Sequence, residues 1–117
     1  MNVLLTKDNE TLITTKCNGI LIDNKIKYEE QNMKNILDIK NNTLTRKNNE
    51  YEIYLDFTNQ QGSYIYNQLQ IPITLDIDKL INESNKYYIH YKLTMSDEKI
   101  GDFTYEVNYE VIKWEMK

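Results

Sequence analysis

Few side chains in this sequence have the types and spacing that chemistry requires. There is one histidine, His90, and one cysteine, Cys17. A Ser-His-Asp arrangement would have to use His90. Alternation in KYYIHYKLTM (86–95) sets that residue beside Lys92 on the wet face, so a surface histidine is the plainer reading. Asp76 and Asp78 lie two apart on one strand face and could share a metal ion. Hard cations need several further oxygen ligands, and no loop supplies them at suitable spacing. Charges on an outer strand face also discourage edge pairing, so a solvated face accounts for the two aspartates. Glu29 and Glu30 are neighbours and point to opposite faces, which rules out a simple carboxylate dyad. Glycine-rich phosphate loops and cysteine pairs for zinc are missing, so the sequence points to no cofactor, no metal and no enzyme.

One constellation survives this search. If Ile26 and Tyr28 face a core, alternation sends Glu30 inward as well, and if Leu44 faces inward Arg46 must follow. Tyr28, Glu30 and Arg46 would then converge inside one mouth of a barrel. An inward arginine needs a partner, and a carboxylate suits it bidentately. That partner is either Glu30 or the head group of an acidic ligand. The competing reading is an ion pair at the rim, where two strands end and alternation breaks down. Tyr91 and Tyr105 would point into the same interior and complete the candidate ligand-binding set.

The elements that position these residues have period two. Tyr87, Ile89, Tyr91, Leu93 and Met95 share one face of 86–95, while Tyr88, His90, Lys92 and Thr94 share the other. FTYEVNYEV repeats the pattern, with Phe103, Tyr105, Val107, Tyr109 and Val111 inward. YEIYLDF places Tyr51, Ile53, Leu55 and Phe57 together, and IPITLDID does the same for Ile71, Ile73, Leu75 and Ile77. Strands with one wet face each argue for an antiparallel sheet. The stretch Asp78–Asn82 reads equally as a helical turn or a strand end.

Turn signals recur at short spacing: Lys7-Asp8-Asn9-Glu10, Asp23-Asn24, Gln31-Asn32, Asn41-Asn42, Asn48-Asn49, Asn59-Gln60-Gln61-Gly62, Glu83-Ser84-Asn85 and Ser96-Asp97-Glu98-Lys99. Asn and Asp tolerate positive φ, which suits hairpins. An up-and-down meander closed into a barrel is the simplest topology, and closure removes the edges. With 117 residues, the chain makes one domain with one core. Its net charge of −4 splits as eight basic against seven acidic residues in the first fifty, and six against eleven in the rest. Neither half is basic enough to follow a phosphate backbone, which excludes nucleic acid as a partner. The opening apolar run is too short for a signal peptide or a membrane span, and the lone cysteine gives no sign of an oxidising compartment. Cytoplasm is the expected setting. Ten tyrosines and no alanine, in a chain rich in Asn, Lys and Ile, also fit an A+T-rich coding sequence, which limits what the tyrosines alone say.

Four segments carry a family resemblance: TTKCNGILIDNKIKYEE (14–30), LDIKNNTLTRKNN (37–49), YIYNQLQIPITLDI (64–77) and YYIHYKLTMSDEKIGDFTYEVNYEVI (87–112). With Gly19 before a strand, Tyr28-Glu29-Glu30 ending the next, Arg46 ending another, and Tyr64 and Tyr91, the chain resembles the YwiB-like proteins. That bacterial family has no assigned function and a calycin, lipocalin-like barrel. Where its pattern has glycine after the arginine, this chain has Lys47 and Asn48, and near position 69 it has Leu69. The resemblance implies a fold and no activity.

The expectation is therefore an all-β, calycin-like antiparallel barrel of about eight to ten strands, spanning 1–117 as one domain. The leading function is non-enzymatic binding of a small apolar or acidic ligand at the barrel mouth by Tyr28, Glu30, Arg46, Tyr91 and Tyr105. The alternative is a protein-interaction module whose interior is fully packed. A homodimer is compatible with the sequence, though nothing in it indicates one.

Overall fold

The computed structural model describes residues 1–110, so Val111, expected to face inward, lies outside the described residues. Eleven strands run in chain order: β1 (Asn2–Lys7), β2 (Glu10–Lys16), β3 (Ile20–Ile22), β4 (Lys25–Glu30), β5 (Met33–Asp38), β6 (Thr43–Lys47), β7 (Tyr51–Asp56), β8 (Gln61–Tyr66), β9 (Leu69–Glu83), β10 (Lys86–Met95) and β11 (Glu98–Asn108). They form one antiparallel sheet in the order β2-β1-β11-β10-β9-β8-β7-β6-β5-β4-β3. This is the expected meander, with the first strand laid against the last.

Local chemistry explains the hairpins. Asp8-Asn9, Asp23-Asn24, Gln31-Asn32, Asn67-Gln68 and Ser96-Asp97 each put two successive residues at positive φ. That conformation matches the twist of the flanking strands, and Asn and Asp reach it cheaply. The Asn67-Gln68 turn carries the weakest signal, because Gln has no special liking for this region.

The strand count exceeds the eight to ten expected, for a definite reason. Following strand directions round the sheet, β2 and β3 run the same way, and only Cys17-Asn18-Gly19 separates them. They are successive parts of one extended run that leaves β1 and passes to β4. They stand at the two ends of the sheet, β2 beside β1 and β3 beside β4, so the one run counts as two strands. Gly19 sits at this corner, where a Cβ would lie 2.5 Å from the Met1 sulfur.

The sheet is strongly curled. β4 and β11 stand seven places apart in strand order, which would put them about 33 Å apart if the sheet were flat. Yet the Tyr28 and Tyr105 hydroxyls meet at 2.7 Å. Inside the curl lies the core: Val3, Leu5, Ile26, Leu37, Leu44, Leu55, Phe57, Ile73 and Leu75, with Tyr87, Ile89, Tyr91, Tyr105 and Val107. The four tyrosines expected inward from β10 and β11 (Tyr87, Tyr91, Tyr105 and Tyr109) are all buried.

Asp78–Asn82 is strand and not helical turn, because β9 runs unbroken from Leu69 to Glu83. A bulge places Asp78 opposite no residue of β10, since His90 pairs with Lys79 and Tyr91 with Ile77. The extra residue shifts the parity, so Ile77 and Leu80 both pack on the core. Their spacing of three mimics a helix in the sequence.

Candidate functional site

β4, β5 and β6 bring the predicted ionic residues together on the inner face. In the register, Tyr28 pairs with Asn35 and Asn35 with Arg46, so the three lie in one row across the sheet. Arg46 donates from an Nη to Glu30 Oε1 at 2.9 Å and from Nε to Asn35 Oδ1 at 3.0 Å. The Asn35 amide in turn lies 3.4 Å from Glu30 Oε1 and 3.3 Å from the Met33 carbonyl oxygen. Glu30 and Asn35 are buried, and the Arg46 side chain is 17% exposed. The pair thus lies inside the curl and is not at an exposed rim. Arg46 spends its fork on two groups of its own chain. Glu30 Oε2 receives no hydrogen bond although it is buried.

The tyrosines complete this inner centre. Burial is the main influence on all of them. It pushes the Tyr28 phenol up to about 12, against the lowering effects of the Tyr105 hydroxyl bond and the Arg46 charge. Tyr91 and Tyr105 are likewise raised well above the ordinary phenol value, again chiefly by burial. These phenols are neutral donors and acceptors, unsuited to act as bases. Tyr91 stacks on Phe103 and tilts against Phe57, each at 5.4 Å between ring centres, so its ring is held by packing on two sides.

A second ionic group lies on the outer face. His90 Nδ1 is 3.3 Å from Asp78 Oδ2, and its Nε2 bonds Asp102 Oδ1. Asp102 is also tied to the β1–β2 turn, since its N–H donates to Asp8 Oδ1 at 3.0 Å. The bulge aims Asp78 at the ring. With both nitrogens engaged by carboxylates, His90 has no free nitrogen to serve as a base. Asp76 and Asp78 are both exposed, and among the described residues no group of three His, Cys, Asp or Glu is arranged to hold a metal ion.

The passage from β2 to β3 leaves a cleft on each side of the corner. One of about 740 Å³ is bordered by Met1, Asn2, Lys16, Gly19, Leu21 and Tyr109. The other, of about 530 Å³, runs past Cys17, Ile20, Lys27, Tyr28 and Asn35. Burial pushes the Cys17 thiol up, which outweighs the lowering by the N-terminal ammonium and makes it a poor nucleophile. The Met1 ammonium donates to the Cys17 carbonyl at 2.9 Å.

All five predicted residues, Tyr28, Glu30, Arg46, Tyr91 and Tyr105, therefore line one interior. Asn35 is the member that sequence reasoning passed over. Its signal was present, because Met33, Asn35 and Leu37 share one strand face, but a lone asparagine among many offers no reason to be singled out. Comparison of the chain with protein-family models, with curated proteins and with solved structures returns no match.

Proposed function

We propose that this chain is a non-enzymatic barrel-like domain that acts through its outer surface on other polypeptides, with the interior given over to packing. The observation that carries this reading is the contact between the Tyr28 and Tyr105 hydroxyls across the interior. Around it, Arg46 is already held by Glu30 and Asn35. An acidic ligand would have to displace an intramolecular carboxylate at 2.9 Å, and an apolar one would have to displace packed rings. The calycin-like form, the YwiB-like kinship and a bacterial, cytoplasmic setting belong to the same proposal. The form and the kinship are supported by the strand pattern and by Gly19, Tyr28-Glu29-Glu30, Arg46, Tyr64 and Tyr91, and the setting by the lone cysteine.

The second reading, a small ligand in the interior, draws on Glu30 Oε2, a buried acceptor without a donor. Such a ligand would carry an N–H or O–H group. Native mass spectrometry of protein purified gently from its own cytoplasm separates the two. Packing of the interior predicts the bare chain mass or a multiple of it. A stoichiometric small-molecule adduct lost on denaturation would transfer the function to the interior.

A further inference from the structure

Among the described strands, β3 alone is exposed at every position, and all three of its residues are apolar. Ile20, Leu21 and Ile22 are 61%, 37% and 55% exposed. Leu21 lies opposite the buried Ile26 and so points inward, while Ile20 and Ile22 lie opposite Lys27 and Lys25 on the outer face. Exposed apolar groups this close together mark a surface that another molecule covers. The outer ones do not stand on a flat wall. The cleft of about 530 Å³ runs past Ile20 and over β4 and β5, where Lys27 is opposite Ile36 and Glu29 opposite Lys34.

Charge gives the occupant its chemistry. The outer face of β4, β5 and β6 carries the exposed lysines Lys25, Lys27, Lys34 and Lys47, in a chain whose net charge is −4. The acids on that face are Glu29 and Asp38, and Asp38 is taken up by the N–H groups of Lys40 and Asn41 and by the Asn41 amide. Among the described residues these lysines form no salt bridge. Backbone parity adds a second requirement. The turns Asp23-Asn24 and Gln31-Asn32 are closed by the pairs Ile22–Lys25 and Glu30–Met33, which exchange both backbone bonds. Both turns give β4 one parity, with Tyr28 and Glu30 facing β5 and Lys27 and Glu29 facing the other way. β3 ends before reaching Glu29, whose N–H and C=O are left turned to the cleft. An extended polypeptide carries the donor and acceptor that such a pair takes.

We infer that this cleft takes an extended, acidic segment of another polypeptide that also carries apolar side chains. Its backbone bonds Glu29, its apolar groups cover Ile20 and Ile36, and its carboxylates meet Lys27 and Lys34. A bilayer matches the same charge less well. It is flat, and it would have to admit the Asp23 carboxylate at the hairpin tip before reaching Ile22. The inference rests on the outward-acting function proposed above and names its site and the chemistry of its partner.

Fluorescence anisotropy of a short labelled peptide of interspersed leucine and glutamate, titrated with the full chain, tests it. The expected dissociation constant is roughly 10 to 100 micromolar, and the same peptide with lysine for glutamate should not bind. Lys27→Glu and Lys34→Glu should each weaken binding about tenfold, whereas Lys79→Glu, on β9, should leave it within about twofold. With Lys27 and Lys34 both reversed, the lysine peptide should become the tighter ligand. Ile20→Ser should weaken binding about tenfold with the circular dichroism unchanged, because the side chain it replaces lies mostly in water. A glutamate peptide that stays free overturns the inference, as does one bound equally well by the Lys27→Glu and Lys34→Glu variants. Capture by phosphatidylserine vesicles through the same lysines, while the peptide stays free, overturns it in favour of a membrane. None of these outcomes touches the packed-interior reading, which fails only on a bound small molecule.

Discussion

Arg46 and His90 hold the same kind of position on opposite faces of one sheet. Each is a basic side chain on a strand: Arg46 meets one carboxylate, Glu30 from β4 two strands away, and His90 meets two, Asp78 and Asp102 from the flanking β9 and β11. Inside, the Glu30 side chain is 4% exposed and Arg46 gives two directed bonds to fixed acceptors. Outside, His90, Asp78 and Asp102 are 30%, 44% and 34% exposed in their side chains. Water stabilises the outer charges whether or not they pair, so their contact adds little. The inner charges have lost that alternative and depend on each other. The face on which alternation places a residue therefore decides what the same chemistry is worth. It also makes the inner centre a fixture of the fold and leaves the outer cluster free to change.

The largest expected effect comes from the tyrosines around the inner centre. Tyr28, Tyr87, Tyr91 and Tyr105 all have phenols raised by burial above the usual value of 10.0, so the folded state favours their neutral form. The sign follows directly. Their stabilising contribution is complete below about pH 10 and is lost as pH rises through 10 toward and beyond the folded values. Tyr28 alone, held near 12, contributes roughly 2 to 3 kcal/mol. Alkaline titration followed by tyrosinate absorbance and circular dichroism should show a late phase that coincides with loss of β structure. If all ten tyrosines ionise in one smooth step near pH 10 with the fold intact, the interior is open to solvent and the contrast between the faces disappears.

Much of this contrast is legible in the sequence. Period two on β10 and β11 sorts Tyr87, Tyr91, Tyr105 and Tyr109 from Tyr88 and His90 without any coordinates, because one dry face leaves a strand no other choice. The inward turn of Glu30 and Arg46 follows from Ile26, Tyr28 and Leu44 by the same rule. That rule cannot decide whether a strand end is rim or interior, since this depends on how far neighbouring strands extend. The bulge at Asp78 is illegible for a similar reason. An inserted residue changes parity, and the resulting Ile77-to-Leu80 spacing is shared with a helix. The corner at Cys17–Gly19 leaves only a glycine as its trace. Which strand edges remain unpaired is a property of the whole curled sheet, which ends at β2 and β3 instead of closing, and it is invisible to any local pattern.

Arg46→Met sharpens the inner half of the comparison. It should cost about 3 to 5 kcal/mol in chemical unfolding by leaving Glu30 buried and unpaired. Adding Glu30→Gln should recover much of the loss, because the stranded charge is then gone while Asn35 can still bond the amide. A single-change cost below about 1 kcal/mol would mean that water reaches Glu30, and the inner pair would rank with the outer one.

The smallest effect belongs to His90. Its ring bridges β9 and β11 from the outer face of β10, so His90→Asn removes two carboxylate contacts at once. Both carboxylates are exposed enough to be rehydrated, and the strands beneath are joined by an extended ladder that does not need them. The expected cost is under about 1 kcal/mol, shrinking further at high salt. The bulge should persist, since Ile77 and Leu80 are fixed to the core by packing and Asp78 has nowhere else in the register to go. Urea unfolding of His90→Asn beside Arg46→Met, at low and high salt, makes the comparison in one experiment. A loss for His90→Asn matching that of Arg46→Met and independent of salt would mean the outer cluster is as desolvated as the inner one. The outer face of β9, β10 and β11 would then be covered by a partner, and burial on that face would have to be assigned to an interface.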